Sequence, residues 1–561
     1  MSGIFGAIHF GDDRNSDGTD TLFNQKSIIA NARYKLSIFG ELFLPSGELL
    51  TQDNFESEFL SSFQMSPFFA QCEGAYILTL YDLIQKELHL ITDPLGNLAL
   101  HYSWNEETLV FSTTMQSVAE AIQKKQNDEK GIYEYLTLNQ TLSGRTLYEN
   151  VKRLAPASHL VASKDSFRVE KYFTPHFEKA PKNDNPSTIE FIKKSFLRNI
   201  EIRTRGDGIR CGLSGGFDSR IIMSALAYLG RKNVELFTIG LPDSSDMRIA
   251  RIISKSLDFR HSEFLLDDAF ILSLSGYWRK TVLSTEGGLG IESSPPFAVW
   301  ELDDKPPVRY IEGHGGPIYR RQILKPWAHR TERYPSLGYF LFDKLQSPLV
   351  SVLQPEVRYE ATRHTIGVIN EYMDSLPSHL DVGDKIDLYY IQQMCANHYS
   401  LAGNAQMQHS KISHPLLSPR IYDVLFTLPS GLRAANTIHK NIIHSYCPSL
   451  EKIPLDNSGF QVPYHGYQYL RYLPQLYERF IVPPAGKYFP KLGSFLSVQH
   501  SPYTLSMIVS SSPEKLQEIA FSESKHFDQY FSKSAIEKLD VFNPRMVAVA
   551  TAKILLQEHC R

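Results

Sequence analysis

The stretch Leu213-Ser214-Gly215-Gly216-Phe217-Asp218-Ser219-Arg220 joins an apolar run, residues 208–213, to a segment of helical periodicity, residues 219–229, that stops at Gly230. The pattern reads as a strand, a tight turn and a helix closed by a glycine. Two adjacent glycines let the backbone approach an anion, the helix N-terminus aims unpaired N–H groups and its positive dipole end at it, and the hydroxyls of Ser214 and Ser219 add donors. Asp218 sits among those donors, placed to hold magnesium, which takes carboxylate and phosphate oxygens together. The plainer reading is a glycine turn that only caps a helix, since Ser and Gly are common at such joints. No Lys follows the glycines, which excludes a Walker loop.

Working downstream, residues 234–239 read as the next strand, 246–257 as a helix, 261–265 as a short extended stretch and 308–311 as a further strand. Two strand–helix–strand units in succession imply a parallel sheet with right-handed crossovers. Thr238-Ile239-Gly240 closes the second strand at the end of the sheet where open α/β folds bind ligands, and Gly240 would let an adenine ring lie close to the backbone. Ser245-Asp246 opens the following helix and reads equally well as an N-cap or as part of a site. After about residue 335 the texture is mostly helical.

Upstream the texture differs. Residues 75–82, 87–92, 98–102 and 109–112 alternate as antiparallel strands with one wet face, and Asp93-Pro94-Leu95-Gly96-Asn97 supplies the turn chemistry between two of them. The polar, proline-bearing residues 180–187 break this pattern, so the expected domains are residues 1–180 and 190–561. A chain of 561 residues exceeds what one core usually organises.

Composition narrows the function classes. With 42% hydrophobic and 21% charged residues the chain is ordinary globular protein. Fifty-eight basic residues against sixty-one acidic ones leave no global pull towards nucleic acid or an anionic membrane, so neither is expected as a partner. No run approaches the ~18 apolar residues of a membrane span and the N-terminus lacks a basic, then apolar, leader, which makes the cytoplasm the expected compartment. Cys72, Cys211, Cys395, Cys447 and Cys560 are scattered and odd in number, which argues against a disulfide framework or a zinc site.

The complete pattern around Ser214 resembles the pyrophosphate loop of enzymes that cleave ATP between its α and β phosphates. Nearly the whole chain resembles the asparagine-synthetase-like superfamily. Ser2-Gly3-Ile4-Phe5-Gly6 is similar to its Cys-Gly-Ile-x-Gly start, Gly40-Glu41 to its Asn-Gly-Glu, and Glu73-Gly74-Ala75-Tyr76 with Tyr81-Asp82 to its Gly-x-Phe…Trp-Asp strand. Leu147-Tyr148, Val151 and Leu154-Ala155-Pro156 follow in family order, as do Gly313-His314-Gly315-Gly316, His414-Pro415-Leu416-Leu417, Leu428-Pro429 and Lys440.

The resemblance implies an α+β, antiparallel, Ntn-hydrolase-like domain followed by an α/β parallel-sheet ATP-pyrophosphatase domain with a helical C-terminal part. It implies ATP and Mg2+, with Leu213, Ser214, Gly215, Gly216, Asp218, Ser219, Gly240, Gly313 and His314 binding the nucleotide, Asp218 on the metal, and Asp218 and Lys440 catalytic.

Several positions depart from the family pattern. Its N-terminal Cys nucleophile is Ser2, a weaker nucleophile; the Asn before Gly-Glu is Phe39; and no Arg-Gly-Pro-Asp lies near Arg33 to hold a glutamine carboxylate. A structural role is therefore expected for the first domain. Where the family carries Gly-Gly-Asp-Glu the chain has Gly315-Gly316-Pro317-Ile318, and proline coordinates no metal; Glu312 is a substitute carboxylate. The late active-site Lys has Lys440 and Lys452 as candidates. Glu286-Gly287-Gly288-Leu289-Gly290 lacks dinucleotide-loop spacing and reads instead as a flexible turn over nucleotide or substrate.

Without glutaminase chemistry the amine must come from elsewhere. The expected reaction is carboxylate adenylation, releasing pyrophosphate, then amide formation. The nearest resemblance is to the lasso-peptide macrolactam cyclases, implying a peptide substrate and a leader-processing protease as partner. The alternatives are asparagine synthetase or another amidotransferase using ammonia or an external amine, and a catalytically silent nucleotide-binding homologue.

Overall fold

The computed structural model describes residues 3–10, 28–64, 68–123, 125–179, 181, 184–206, 208–302, 308–319, 331–457, 460–465, 505–523 and 525–559. Ser2 and Cys560 lie outside the described residues. Among the described residues the first part of the chain holds ten antiparallel strands: β1 (Phe5–His9), β2 (Ile28–Ala30), β3 (Tyr34–Phe43), β4 (Glu73–Asp82), β5 (Glu87–Thr92), β6 (Leu100–Trp104), β7 (Thr108–Ser112), β8 (Lys152–Leu154), β9 (Ser158–Ala162) and β10 (Phe167–Lys171). They make a four-stranded sheet in the order β1-β7-β6-β8 and a six-stranded sheet in the order β10-β9-β5-β4-β3-β2.

The two sheets share an apolar interior. Because successive strand residues face opposite ways, Ile77 and Tyr81 of β4 meet Leu100, Leu109 and Phe111 of the other sheet. Tyr76, Leu78 and Leu80 point the other way, under Phe55, Phe59, Phe63 and Phe68. The outer face of the four-stranded sheet is covered too, Val110 packing with Met115, Trp278 and Ala550. The expectation of one wet face is thus corrected: apolar layers from segments distant in sequence cover the outer sides.

The second part is built on a parallel sheet of β11 (Ile209–Gly212), β12 (Val234–Gly240), β13 (His261–Leu265), β14 (Arg309–Ile311) and β15 (Lys411–Ser413), ordered β13-β12-β11-β14-β15. The chain winds outward from β11 to β13 and then returns to add β14 and β15 on the other side. That reversal opens a crevice at the C-terminal ends of β11 and β14, the place where open α/β sheets take ligands.

Helices α1 (Asn185–Arg203), α2 (Phe217–Tyr228) and α3 (Ser245–Ser256) line one face, with Ile192, Phe196, Ile221, Ile222 and Ile249 all buried against Cys211 and Leu236. Each such Ile contributes about 1.5–3 kcal/mol by leaving water. Further on, the chain is largely helical, with α4 (Thr437–Tyr446), the short hairpin β16 (Leu455–Asn457) and β17 (Phe460–Val462), and α5 (Pro544–His559). No helix among the described residues is long and apolar enough to cross a membrane.

Ion pairs join the antiparallel part to the parallel sheet and to α1. Arg309 donates to both oxygens of Glu41, at 2.6 and 2.8 Å, and Arg203 reaches Glu73 at 3.3 Å while Ser418 donates to the same carboxylate at 2.6 Å.

Candidate nucleotide site

The junction after β11 forms where the sheet's winding reverses. Gly216 is the N-cap of α2 and offers no side-chain cap, so the first-turn N–H groups are left to other partners. The two hydroxyls tie the loop together: Ser219 Oγ donates to Ser214 O at 3.0 Å, and Ser214 N donates to Ser219 Oγ at 3.2 Å. Leu213 is a buried core residue whose N–H continues the pairing with β12, donating to Phe237 O at 2.9 Å. Gly240 ends β12, its carbonyl accepting from Leu266 N.

One cradle donor is already engaged. Gly215 N donates to Asp246 Oδ1 at 2.7 Å, and burial, followed by the charge of Asp456, pushes the Asp246 carboxyl up to about 6. Asp456 N in turn donates to Gly215 O at 3.0 Å, and a Cβ at Gly215 would come within 2.6 Å of Asp456 Cβ. Arg220, fully buried, donates to the carbonyls of Leu450, Ile453 and Pro454 at 3.1, 2.7 and 2.7 Å, so the 450–456 segment is clamped onto the loop.

Asp218 reaches the segment after β14. Side chains at Gly313 or Gly316 would collide with it, a Cβ falling 2.7 Å from Asp218 Cβ and 2.1 Å from its Oδ1 respectively. These two glycines therefore set how closely the two strand-end segments approach. The partner of Asp218 is His439, whose Nε2 donates to Asp218 Oδ1 at 2.8 Å from a buried position on α4. Lys440 follows it on the same helix, half-buried, and Lys452 is exposed in the 448–452 turn. Pro317 lies in the 3₁₀ turn Gly316–Tyr319. Among the described residues no group of three or more His, Cys, Asp and Glu side chains could hold a metal ion. The protein supplies Asp218 as a carboxylate beside the loop, which suits a magnesium ion carried in with phosphate oxygens better than an all-protein cage.

Behind Gly313 stands a polar and aromatic layer. His414 reaches Glu312 Oε1 at 3.0 Å and Asn97 Oδ1 at 2.8 Å through its two ring nitrogens, linking the turn after β5 to the end of β14. Burial pushes the Glu312 carboxyl up, but the hydrogen bond and charge of His414 outweigh it and leave it below its ordinary value. Glu312 is thus engaged rather than a spare ligand. Burial lowers His314 to about 3, with His414 adding to the effect, so its ring is neutral and packs between Tyr399 and His414, at 5.0 and 4.9 Å between centroids.

The positions that depart from the family's glutamine pattern have partners within the protein. Phe39 is buried between the sheets, Arg33 is paired with Asp82 at 2.6 Å, and Glu41 faces Arg309. Gly3, beside Ser2, sits against Thr113, whose Oγ1 would be 2.3 Å from a Cβ there. The turn at Glu286–Gly290 is corrected as well: rather than a flexible cover it is pinned, Gly287 N donating to Val282 O, Gly288 N to Thr285 O, and Met115 N to Glu286 Oε1, all at 2.7–2.8 Å. The sequence reading missed His439, Arg220 and His414 in these roles. Arg220 closes the quoted motif and His439 precedes Lys440, so their partners, not their existence, were hidden.

Comparison with known proteins adds a family context. A glutamine amidotransferase domain model matches residues 65–173, and an asparagine synthase model matches residues 193–299. The matches support the asparagine-synthetase-like superfamily. A putative glutamine-hydrolysing asparagine synthetase 2 of Methanocaldococcus jannaschii is 25% identical over 181 residues, covering 31% of this chain and 35% of that one. The glutamine-hydrolysing asparagine synthetase 1 of Bacillus subtilis is 20% identical over 192 residues, covering 34% and 30%. The chain spans about a third of the length of these curated relatives. Among solved structures, glutamine phosphoribosylpyrophosphate amidotransferase of B. subtilis with ADP and GMP aligns over 51% of this chain and 57% of its own at 9% identity, with a TM-score of 0.18. An allosteric regulatory enzyme of purine biosynthesis aligns over 51% and 56% at 9% identity and 0.19. Both scores are too low to bear on the fold.

Proposed function

We propose that the protein is an ATP-dependent amide ligase that adenylates a carboxylate, releases pyrophosphate, and joins the acyl group to an amine. The observation that carries this reading is the Ser214–Ser219 loop, with its two glycines and uncapped first turn, at the crevice where the parallel sheet reverses its winding. The amides of the α2 first turn and the hydroxyls of Ser214 and Ser219 hold the departing pyrophosphate. Magnesium, when bound with ATP through Asp218, neutralises phosphate charge. His439 fixes the orientation of Asp218 by the bond to its Oδ1. Gly240 leaves room for the base beside β12.

The finer reading is macrolactam formation within a peptide, an internal amine attacking the adenylated carboxylate. Phe39, buried where the family carries Asn, and Arg33, engaged by Asp82, support an amine source other than glutamine. A second reading, asparagine or a related amide made from ammonia or an external amine, draws on the two asparagine synthetases that the chain resembles.

The test is release of AMP and pyrophosphate from Mg-ATP by wild type and Asp218→Ala, with aspartate plus ammonia, glutamine, and candidate precursor peptides. Peptide-dependent AMP that disappears in the variant supports the cyclase. AMP formation with aspartate and ammonia supports the second reading, and failure to bind ATP overturns both.

A further inference from the structure

A cavity of about 340 Å3 lies between the antiparallel part and the C-terminal helices, lined by the Gly287–Gly290 turn, by Tyr135 of the helix Glu129–Leu138, and by Val547 and Thr551 of α5. Its walls are mainly apolar. No Lys or Arg is among the described residues that line it, and burial lowers its one histidine, His398, to about 4, leaving that ring neutral.

Glu292 is the single acid in the lining. Its side chain is exposed where the cavity opens, and among the described residues its carboxylate is met only by its own backbone N–H. Gly290 makes this placement feasible, since a Cβ there would stand 2.3 Å from Glu292 Oε2. Burial pushes the Glu292 carboxyl up, the cost of a negative charge with no counter-charge. Tyr135 is close enough for that charge to act on its hydroxyl and presents an aromatic ring to the same space. An unpaired carboxylate beside an aromatic ring, in an otherwise apolar chamber, is the chemistry that recognises an organic cation.

A row of packed rings leads from the chamber to the candidate nucleotide site. His398 packs on Tyr399 at 4.9 Å, Tyr399 on His314 at 5.0 Å, and His314 follows Gly313, which abuts Asp218. We propose that this cavity is a specificity subsite that seats a cationic group of the substrate, a primary amine on an apolar body, with the ammonium on Glu292 and the body against Tyr135 and Val547. Its role as a substrate subsite rests on the amide-ligase reading, whereas the binding chemistry stands without it. The seated cation lies behind the ring wall, so it anchors the substrate and is not the amine that reacts.

The experiment is calorimetric titration of the full chain at pH 8 with benzylamine and with its neutral counterpart benzyl alcohol. Wild type binds benzylamine about tenfold or more tightly than the alcohol, the size expected of one charge-assisted contact. Glu292→Gln brings the two affinities together, Glu292→Asp keeps the preference, and Ala548→Trp, which fills the chamber, abolishes binding of both. Equal affinities in wild type, no saturable benzylamine binding, or a preference that survives Glu292→Gln overturns the proposal. Should Glu292→Gln fail to fold, the wild-type pair of titrations still decides. ATP binding measured on the same samples separates the two readings. Amine preference without ATP binding removes only the ligase reading, and ATP binding without amine preference removes only the subsite.

Discussion

The antiparallel and parallel parts treat their inherited motif positions in opposite ways. In the first, Phe39 fills the space between the sheets and Arg33 and Glu41 are committed to Asp82 and Arg309. In the second, Gly313 and Gly316 keep room for Asp218, and Gly215 keeps room for the 456 segment. The contrast teaches that a site is closed by side chains that satisfy one another and kept open by side chains that are missing. The antiparallel part contributes Asn97 to the layer behind β14.

The strongest way to break this comparison is Glu41→Ala. It leaves the part-buried Arg309 without its carboxylate, and a loss of about 3 kcal/mol in urea unfolding is expected. A loss under 1 kcal/mol would mean the antiparallel part is not held by this pair. Next in size, Gly316→Ala drives a methyl into Asp218 Oδ1, and AMP release with the productive substrate should fall about a hundredfold, equivalent to about 2.7 kcal/mol. Retained activity would show that the close approach is not needed.

A smaller effect tests the engaged cradle donor. An unfolded Asp titrates near 3.9, whereas Asp246 in the folded protein titrates at about 6. Between those values the folded form binds the extra proton, so this residue makes stability decline as pH rises through the window, and the cost persists above it. Asp246→Asn should therefore raise the urea midpoint at pH 7 and have little effect at pH 4, read from unfolding curves at both. The smallest effect is expected at Ser2→Ala, with AMP release unchanged and no glutamate formed from glutamine by either protein. A Ser2-dependent glutaminase would end the comparison.

Much of the parallel sheet was legible. The strand Val234–Gly240, the stretch His261–Leu265 and the helix after Gly216 carry clear periodicity bounded by glycine or capping residues, and their limits fall within about two residues of the reading. The buried outer side of β4 was not legible, because alternation reveals a strand's two faces but not that both are covered. Lys411–Ser413 was too short to show a period, yet it completes the edge beside β14. In the site, the loop residues announce themselves by being contiguous. His439 does not, because its bond to Asp218 spans 221 positions and no local pattern encodes such a meeting.

The Arg220 clamp has a consequence for the order of events during synthesis. Its acceptors come from Leu450, Ile453 and Pro454, more than two hundred residues after the loop they fasten. Domains fold largely as they emerge from the ribosome, but this guanidinium has no carbonyls to receive it until the 450–454 segment has been made. A nascent chain stopped short of that segment carries the complete Ser-Gly-Gly-x-Asp-Ser text without its finished shape, so the loop is fastened only once residue 454 has been made.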